Sequence, residues 1–333
     1  MALPPPGPDA APVSRSRARI DALDAARGVA LGAMAIYHAT WDLGYLRLTP
    51  ENYALTPAGR IAAHLIAGGF LVLVGIGLVL AHGGGVRRRA MLMRLLRIGG
   101  AALAVTAATY ALFPGSYVFF GILHCIALSS VLALPFLFAP VAVTALCAAV
   151  VMAAPHVVGG GVLDAPALFF LGLGRTLPQT NDYVPLFPWF GLVLAGIVAG
   201  RLGMPRLADT RIGGWRATRG PWRFAAFAGR HSLAVYLVHQ PVLLALFSGL
   251  AALTGPHPRA GEAEFRTTYA RNCVATGGEA AACQLAARCV VGAFRRDGLW
   301  AQSQRSFTVA ERARAQALSQ GCYEAAEGTA PNP

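Results

Sequence analysis

The chain has 333 residues, of which 56% are hydrophobic and only 13% are charged, and its formal net charge is +13. Soluble domains carry about 25% charged residues, so this composition argues against a disordered chain and against an ordinary soluble enzyme. All 28 basic residues are arginines. They lie in separate short loops rather than in one groove lined by aromatic residues, which argues against a nucleic-acid partner. The sequence therefore predicts a multi-pass membrane protein.

Residues 1–20 are rich in Pro, Ala and Arg without apolar periodicity, which predicts a disordered cytoplasmic tail. A spanning helix needs roughly 20 mainly apolar residues. The seven predicted spans are 24–46, 60–82, 94–113, 118–138, 140–158, 185–202 and 231–253. Residues 162–174 are too short to span and favour a re-entrant or interfacial segment, with an eighth span as the alternative. These elements predict an all-α transmembrane helix bundle over residues 21–254.

The placement of the arginines predicts the orientation of the chain. With the N-terminus inside, sixteen arginines fall in inner segments and three in outer segments before the C-terminal tail, which is the positive-inside pattern. Seven spans then place the polar tail, residues 255–333, on the outer side. The tail holds Cys273, Cys283, Cys289 and Cys322. An even number of cysteines in a short extracytoplasmic segment predicts one or two disulfides, and four cysteines allow three pairings.

The first predicted span carries Asp24, Arg27, His38 and Asp42 within a stripe of about 60° on one helical face. Ionisable groups inside a membrane are costly and are usually functional. Arg27 lies near the inner edge, and His38 lies roughly 16 Å further along the axis, in the outer half. His38 and Asp42 form an i, i+4 pair, so the carboxylate would hold the imidazole ready as a base or nucleophile. The alternative is a structural His38 and an Arg27 that reaches the lipid headgroups.

Further candidates lie on both sides of the bundle. On the inner side lies a dense arginine cluster, which either anchors the helix or contacts the phosphates of a nucleotide-bearing donor. Its members are Arg87, Arg88, Arg89, Arg94 and Arg97. Facing the outer side, we expect an acceptor site. Its candidate residues are His124, Asp182, Trp189 and His239. Each histidine has a structural alternative, and Asp182 has the alternative of capping a helix start.

Four stretches carry a resemblance to a known family. They are RIDALDAARGVALGAMAIYHATWDL (Arg19–Leu43), FGILHCIAL, DYVPLFPWFG and GRHSLAVYLVHQP. With them, residues 19–253 resemble the bacterial branch of the heparan-alpha-glucosaminide N-acetyltransferase-like family of integral membrane acyltransferases. The spacing of Arg27 and His38 is also similar to that in a wider group of membrane acyltransferases that modify envelope glycans.

The resemblance implies a multi-pass enzyme of the bacterial inner membrane that takes acetyl-CoA from the cytoplasmic side. The acetyl group would pass to an amine or hydroxyl of an envelope sugar or glycan, with His38 and Asp42 in the catalytic role. Arg27, Arg87, Arg88 and Arg89 would hold the donor. No metal is expected, and the expected partners are the lipid bilayer, the donor, the glycan acceptor and a second copy in a homodimer.

Rival functions remain open from the sequence. A multi-pass transporter or proton-coupled carrier would also bury Asp, Arg and His in its spans. Against it, the two halves show no matched pair of broken helices of the kind that marks many transporters. A non-enzymatic envelope protein would keep its function in the cysteine tail. A metal site built from the outer histidines is a further alternative.

Overall fold

The computed structural model describes residues 20–207, 210, 213–302 and 307–328. Its helices are α1 (Asp21–Tyr45), α2 (Pro57–His82), α3 (Arg88–Leu112), α4 (Ile122–Leu132), α5 (Val141–Val157), α6 (Leu186–Leu207), α7 (Gly220–Arg230), α8 (Ser232–Thr254), α9 (Glu262–Ala275), α10 (Ala280–Arg296), α11 (Leu299–Gln302) and α12 (Val309–Glu327). Short 3-10 turns occupy Tyr53–Leu55, Pro135–Leu137, Gly161–Asp164 and Pro166–Leu171. Within the described residues no strand forms, so the all-α prediction is confirmed. The predicted tail, residues 1–20, lies outside the description except for Ile20.

Among the residues that the structure describes, four helices are long and apolar enough to cross a membrane by length and composition: α2, α3, α8 and the Leu186–Met204 part of α6. Helices α4 and α5 are apolar but have only 11 and 17 residues. Helix α1 has 25 residues but is not among the helices that meet these criteria. The chain is therefore a multi-pass membrane protein, while the seven spans and the inward N-terminus stay predictions.

The structure divides the predicted span 118–138. Helix α4 ends at Leu132, and a 3-10 turn follows over Pro135–Leu137. Proline has no N–H to donate, so the α-helical hydrogen bonding does not continue through Pro135, although Leu134 before it keeps helical backbone angles. Residues 162–174, predicted to be too short to span, form the last two 3-10 turns.

The chain falls into two compact units. The first contains Leu65–Leu237 and the part of α1 up to Ala33, and the second contains Met34–His64 and the chain from Val238 onward. In the first unit, α2 and α6 touch backbone to backbone. A Cβ atom on Gly75 would collide with the carbonyl oxygen of Val193, and one on Gly196 would collide with that of Val72. Small residues allow such close packing of membrane helices.

The second unit contains the tail, in which α10 packs against both α9 and α12. Its core is formed by Val290, Phe294 and Trp300, with Phe265 packed against them. The tail is tied to the loop after α1, because the backbone N–H of His257 donates to the carbonyl of Arg47. The disulfides are Cys273–Cys283, from α9 to α10, and Cys289–Cys322, from α10 to α12. The prediction of disulfides is confirmed, and the structure selects one of the three pairings.

The two disulfides are expected to differ in their contribution to stability. The bridged cysteines are separated by 10 residues in Cys273–Cys283 and by 33 in Cys289–Cys322. In the chain-entropy model the stabilisation by a disulfide grows as 1.5RT ln n, where n is the number of residues in the loop that it closes. Removing Cys289–Cys322 should therefore lower the free energy of unfolding by about 1 kcal/mol more than removing Cys273–Cys283. The measurement is the urea dependence of proteolysis within the tail of the full chain, with each pair replaced by alanines. Equal midpoints for the two double variants would contradict the model.

Candidate functional site

His38, the predicted catalytic histidine, lies in the part of α1 that belongs to the second unit, where it meets α8. Its ring contacts the ring of His239 edge to face, with 5.1 Å between the ring centroids. The ring of Tyr37 lies 5.8 Å away, also edge to face. The structure thus brings together the predicted catalytic histidine and one residue of the predicted acceptor site.

Asp42, one turn further along α1, is fully buried. Its Oδ1 accepts a hydrogen bond of 2.8 Å from Nε2 of Gln240 on α8. The hydrogen bond expected between Asp42 and His38 is therefore replaced by one to Gln240, because the amide of the neighbouring helix supplies the donor. Sequence reasoning missed Gln240, although it directly follows His239.

Two buried oxygens at this place lack donors. Asp42 Oδ2 and Gln240 Oε1 have no hydrogen-bond partner among the residues that the structure describes. A buried acceptor without a donor loses the hydrogen bonds that water would have given it. These oxygens can therefore stabilise an N–H or O–H group of a bound molecule.

The first unit contains a cavity of about 1080 Å³, at the upper end of the range for small-molecule sites. Its charged lining residues are Asp24, Arg27, Arg87, Arg94 and Arg230. Apolar side chains from five helices, α1 to α4 and α8, line much of the rest, among them Leu31, Phe70, Ile98, Ile126 and Leu233. Four cations against one carboxylate favour an anionic ligand, and the apolar walls favour one with an uncharged arm.

Ion pairs fix part of this charge. Arg27 Nη1 lies 3.2 Å from Asp24 Oδ1, and Arg230 Nε lies 3.5 Å from Asp24 Oδ2. Arg230 also pairs with Asp21. The Nε of Arg94, by contrast, is buried without a hydrogen-bond partner in the described part of the chain. Arg94 therefore keeps donor capacity for a ligand.

The structure revises which arginines share this cavity. Arg27 and Arg87 line it as the sequence suggested, whereas Arg88 and Arg89 are exposed and are not among its lining residues. Arg94, another member of the predicted arginine cluster, also lines the cavity, whereas Arg97 is not among its lining residues. Arg94 follows Arg87 by seven residues, which is about two helical turns and so the same helix face.

Helix α7 packs directly against α1 beside the cavity. A Cβ atom on Gly28 would collide with the carbonyl oxygen of Ala225, and one on Gly229 would collide with that of Asp24. Glycine at both positions therefore allows the backbone contact that brings Arg230 to Asp24.

Alanine at position 28 is expected to destabilise the protein by about 1–3 kcal/mol, the usual cost of overpacking. The matched control is Gly32→Ala on the same helix, where a Cβ atom would meet nothing within 4 Å. Because alanine favours helix over glycine, Gly32→Ala should be neutral or slightly stabilising. Thermal unfolding of both variants in detergent measures the difference, and similar unfolding temperatures would contradict the expectation.

His124 has structural partners at both ring nitrogens. Its Nδ1 accepts from the backbone N–H of Gly121 at 3.3 Å, and its Nε2 lies 3.2 Å from Thr106 Oγ1. The Thr106 hydroxyl donates its only proton to the carbonyl of Val118 at 2.7 Å. His124 Nε2 must therefore carry the proton, which gives a neutral ring with a fixed tautomer.

Asp182 and Trp189 also make structural contacts. Asp182 Oδ2 accepts a hydrogen bond of 2.9 Å from the backbone N–H of Ile122. Asp182 thus caps the start of α4, whereas the expected capping alternative was the start of its own helix. Trp189 packs against the apolar core of the first unit. Of the four predicted acceptor residues, His239 belongs to the second unit and lies beside His38, whereas His124, Asp182 and Trp189 belong to the first unit.

Potential metal ligands do not converge in the described ranges: no group of three or more His, Cys, Asp and Glu side chains there is arranged to hold a metal ion.

Comparison with known proteins gives one positive result. No curated protein and no solved structure matches the chain. The family model described as heparan-alpha-glucosaminide N-acetyltransferase, catalytic, matches residues 19–241. This range includes His38, Asp42, His239 and Gln240 as well as the charged lining of the cavity. The chain therefore belongs to the heparan-alpha-glucosaminide N-acetyltransferase-like family, as its sequence motifs suggested.

Proposed function

We propose that the protein is a membrane acyltransferase that moves an acetyl group from cytoplasmic acetyl-CoA to an amine or hydroxyl of an envelope sugar or glycan. Membership of the family implies acetyltransferase activity. The observation that carries the choice of donor is the cavity of the first unit, in which four arginines accompany one carboxylate.

The residues of this cavity fit the donor chemically. Acetyl-CoA combines phosphate groups with a long, mostly uncharged arm that ends in a thioester. Arginine binds phosphate through two parallel, charge-assisted hydrogen bonds. Arg94 has a buried Nε that needs an acceptor, and Arg87 lies exposed at the start of α3. The apolar lining suits the arm.

In the proposed reaction His38 takes a proton from the acceptor N–H or O–H while that atom attacks the acetyl carbonyl carbon. The C–S bond of the thioester breaks, and the proton passes to the leaving thiolate, which gives the acetylated acceptor and free CoA. In a two-step form, a His38 nitrogen first accepts the acetyl group and then transfers it to the acceptor. Both routes place His38 at the reacting atoms.

We assign the acceptor to the surroundings of His38 and His239. Asp42 is held by Gln240, and the two donor-free oxygens of this pair would accept hydrogen bonds from the attacking amine or hydroxyl. The contacts of His124, Asp182 and Trp189 are already explained by the fold, so the proposal does not use them.

The inner membrane of a bacterium is the proposed location, with the tail on the outer side. Two observations support this sidedness. The arginines are strongly biased toward one set of loops. The tail has two disulfides, which form in oxidising extracytoplasmic compartments.

Sealed inside-out vesicles test the proposal. They are loaded with glucosamine or glucose and given radiolabelled acetyl-CoA outside, and thiol release and labelled sugar inside are measured. We expect release of CoA outside together with acetylated sugar inside, and neither in sealed right-side-out vesicles. Uptake of intact acetyl-CoA into the vesicles, or export of unmodified sugar from them, would instead indicate a transporter. Absence of acetyl-CoA binding by folded protein would overturn the proposal.

A further inference from the structure

Helix α7 has two faces of different character. Ala226, Ala228 and Gly229 are buried, and the glycine contacts α1. Phe224 and Phe227 are 74% and 57% exposed, and Trp222 is 47% exposed. With 11 residues, α7 is too short to cross a bilayer. An exposed aromatic face on so short a helix needs a partner that is neither the core of this unit nor a spanning neighbour.

Basic residues accompany this face. Arg216, Arg219 and Arg223 are all exposed, and residues 210–230 contain no Asp or Glu. The ring of Trp215 contacts that of Trp222 edge to face at 5.9 Å between centroids. Short helices with large apolar groups and interleaved basic residues lie in the plane of the membrane interface. Tryptophan prefers the same depth.

We propose that α7 lies in the plane of the membrane–water interface on the cytoplasmic side and binds the phosphate headgroups of anionic phospholipids. Arg216, Arg219 and Arg223 would contact the phosphates, while Phe224 and Phe227 insert at the boundary of the acyl chains. Charge complementarity selects this partner, because within the described residues Arg216, Arg219 and Arg223 appear in none of the ion pairs formed by Asp21 and Asp24, which pair with Arg230 and Arg27 instead. A zwitterionic leaflet would leave that charge unbalanced.

The site has a consequence for the cavity of the first unit. Helix α7 ends at Arg230, which lines that cavity and pairs with Asp24. Lipid contact that holds α7 would thereby hold Arg230. Only this consequence rests on the proposed function, since lipid binding by α7 can be measured without any donor.

Lipid retention by the purified full chain tests the proposal. Native mass spectrometry would count phosphatidylglycerol and phosphatidylcholine retained by wild type, by the triple variant Arg216→Gln, Arg219→Gln, Arg223→Gln, and by a control triple. The control is Arg266→Gln, Arg271→Gln, Arg288→Gln in the tail, where all three arginines are also exposed. We expect the α7 triple to lose preference for phosphatidylglycerol by about fivefold per arginine. The control should keep it.

A second measurement locates the helix itself. Brominated phospholipids quench the fluorescence of tryptophan side chains that reach the boundary of the acyl chains. The fraction of the fluorescence that these lipids quench should therefore decrease when Trp222 is replaced by phenylalanine. An unchanged lipid preference in the α7 triple, an equal loss in the tail triple, or no quenching attributable to Trp222 would each overturn the proposal. The exposed positions of all the substituted side chains keep the variants foldable.

Discussion

Replacing His38 by alanine is expected to lower acetyl transfer by about 10²–10⁴-fold, the usual contribution of a positioned general base. In the two-step route the loss should be at least as large, because no nitrogen remains to carry the acetyl group. Donor binding should change little, since His38 is not among the residues that line the cavity of the first unit. The effect should therefore appear in kcat rather than in the KM for acetyl-CoA.

The measurement is acetyl transfer to sugar in inside-out vesicles, with membrane insertion checked for each variant. His64→Ala provides the matched control, because His64 is an exposed histidine of α2 whose Nδ1 bonds to the carbonyl of Arg60 in its own helix. This control should keep near-wild-type activity. Full activity of membrane-inserted His38→Ala protein would show that His38 takes no part in the reaction. If wild-type protein but not His38→Ala protein retained the radiolabelled acetyl group, the two-step route would be favoured.

Replacing Arg94 by leucine is expected to raise the KM for acetyl-CoA by about 10–100-fold, with a smaller effect on kcat. A hydrogen bond to a charged partner contributes about 1.5–3 kcal/mol, and the Nε of Arg94, which lines the cavity, is buried without a hydrogen-bond partner among the described residues. Leucine retains much of the apolar stem, so folding should survive. Equilibrium binding of radiolabelled acetyl-CoA measures the change directly.

Arg88→Leu and Arg89→Leu are the controls for this prediction. Both arginines belong to the same helix as Arg94, and each substitution removes one positive charge, as Arg94→Leu does. Their side chains, however, are exposed and are not part of the cavity lining. If all three variants weakened donor binding equally, the general positive charge of the inner loop would explain binding. If none did, the cavity would not be the donor site.

Several features of the fold were predictable because they depend on local sequence. The ionisable first helix was predicted at 24–46 and runs from Asp21 to Tyr45. Its length follows from an uninterrupted run of helix-compatible residues without proline. The division of 118–138 was less visible, although Pro135 carries the physical reason.

The contacts that define the candidate site depend on distant parts of the chain. Asp42 and Gln240 are 198 residues apart, so no local pattern indicates that an amide takes the place of His38. The i, i+4 spacing supported the prediction of a hydrogen bond between His38 and Asp42 within α1. In the structure Asp42 instead accepts its hydrogen bond from Gln240 of the neighbouring helix α8. Similarly, the neutral state of His124 follows from Thr106 and Val118, which only the packing of α3 and the loop before α4 brings together.

In the tail, cysteine count and topology predicted the existence of disulfides but not their pairing. The pairing depends on α10 lying against both α9 and α12, and none of these helices has the apolar length of a span. Helix α7 was not predicted because its sequence likewise lacks an apolar run of spanning length: its 11 residues mix aromatic, basic and small side chains.

The burial of Cys283 has a kinetic consequence. Its side chain has no exposed surface, whereas Cys289 of the other disulfide is exposed. A small-molecule thiolate must reach a sulfur atom before it can exchange with a disulfide. Direct attack on Cys283 therefore waits for a transient opening of the α10 surface, and exchange of this disulfide in the intact chain should begin at its half-buried partner, Cys273. The bond at Cys289 offers a directly accessible reference within the same molecule.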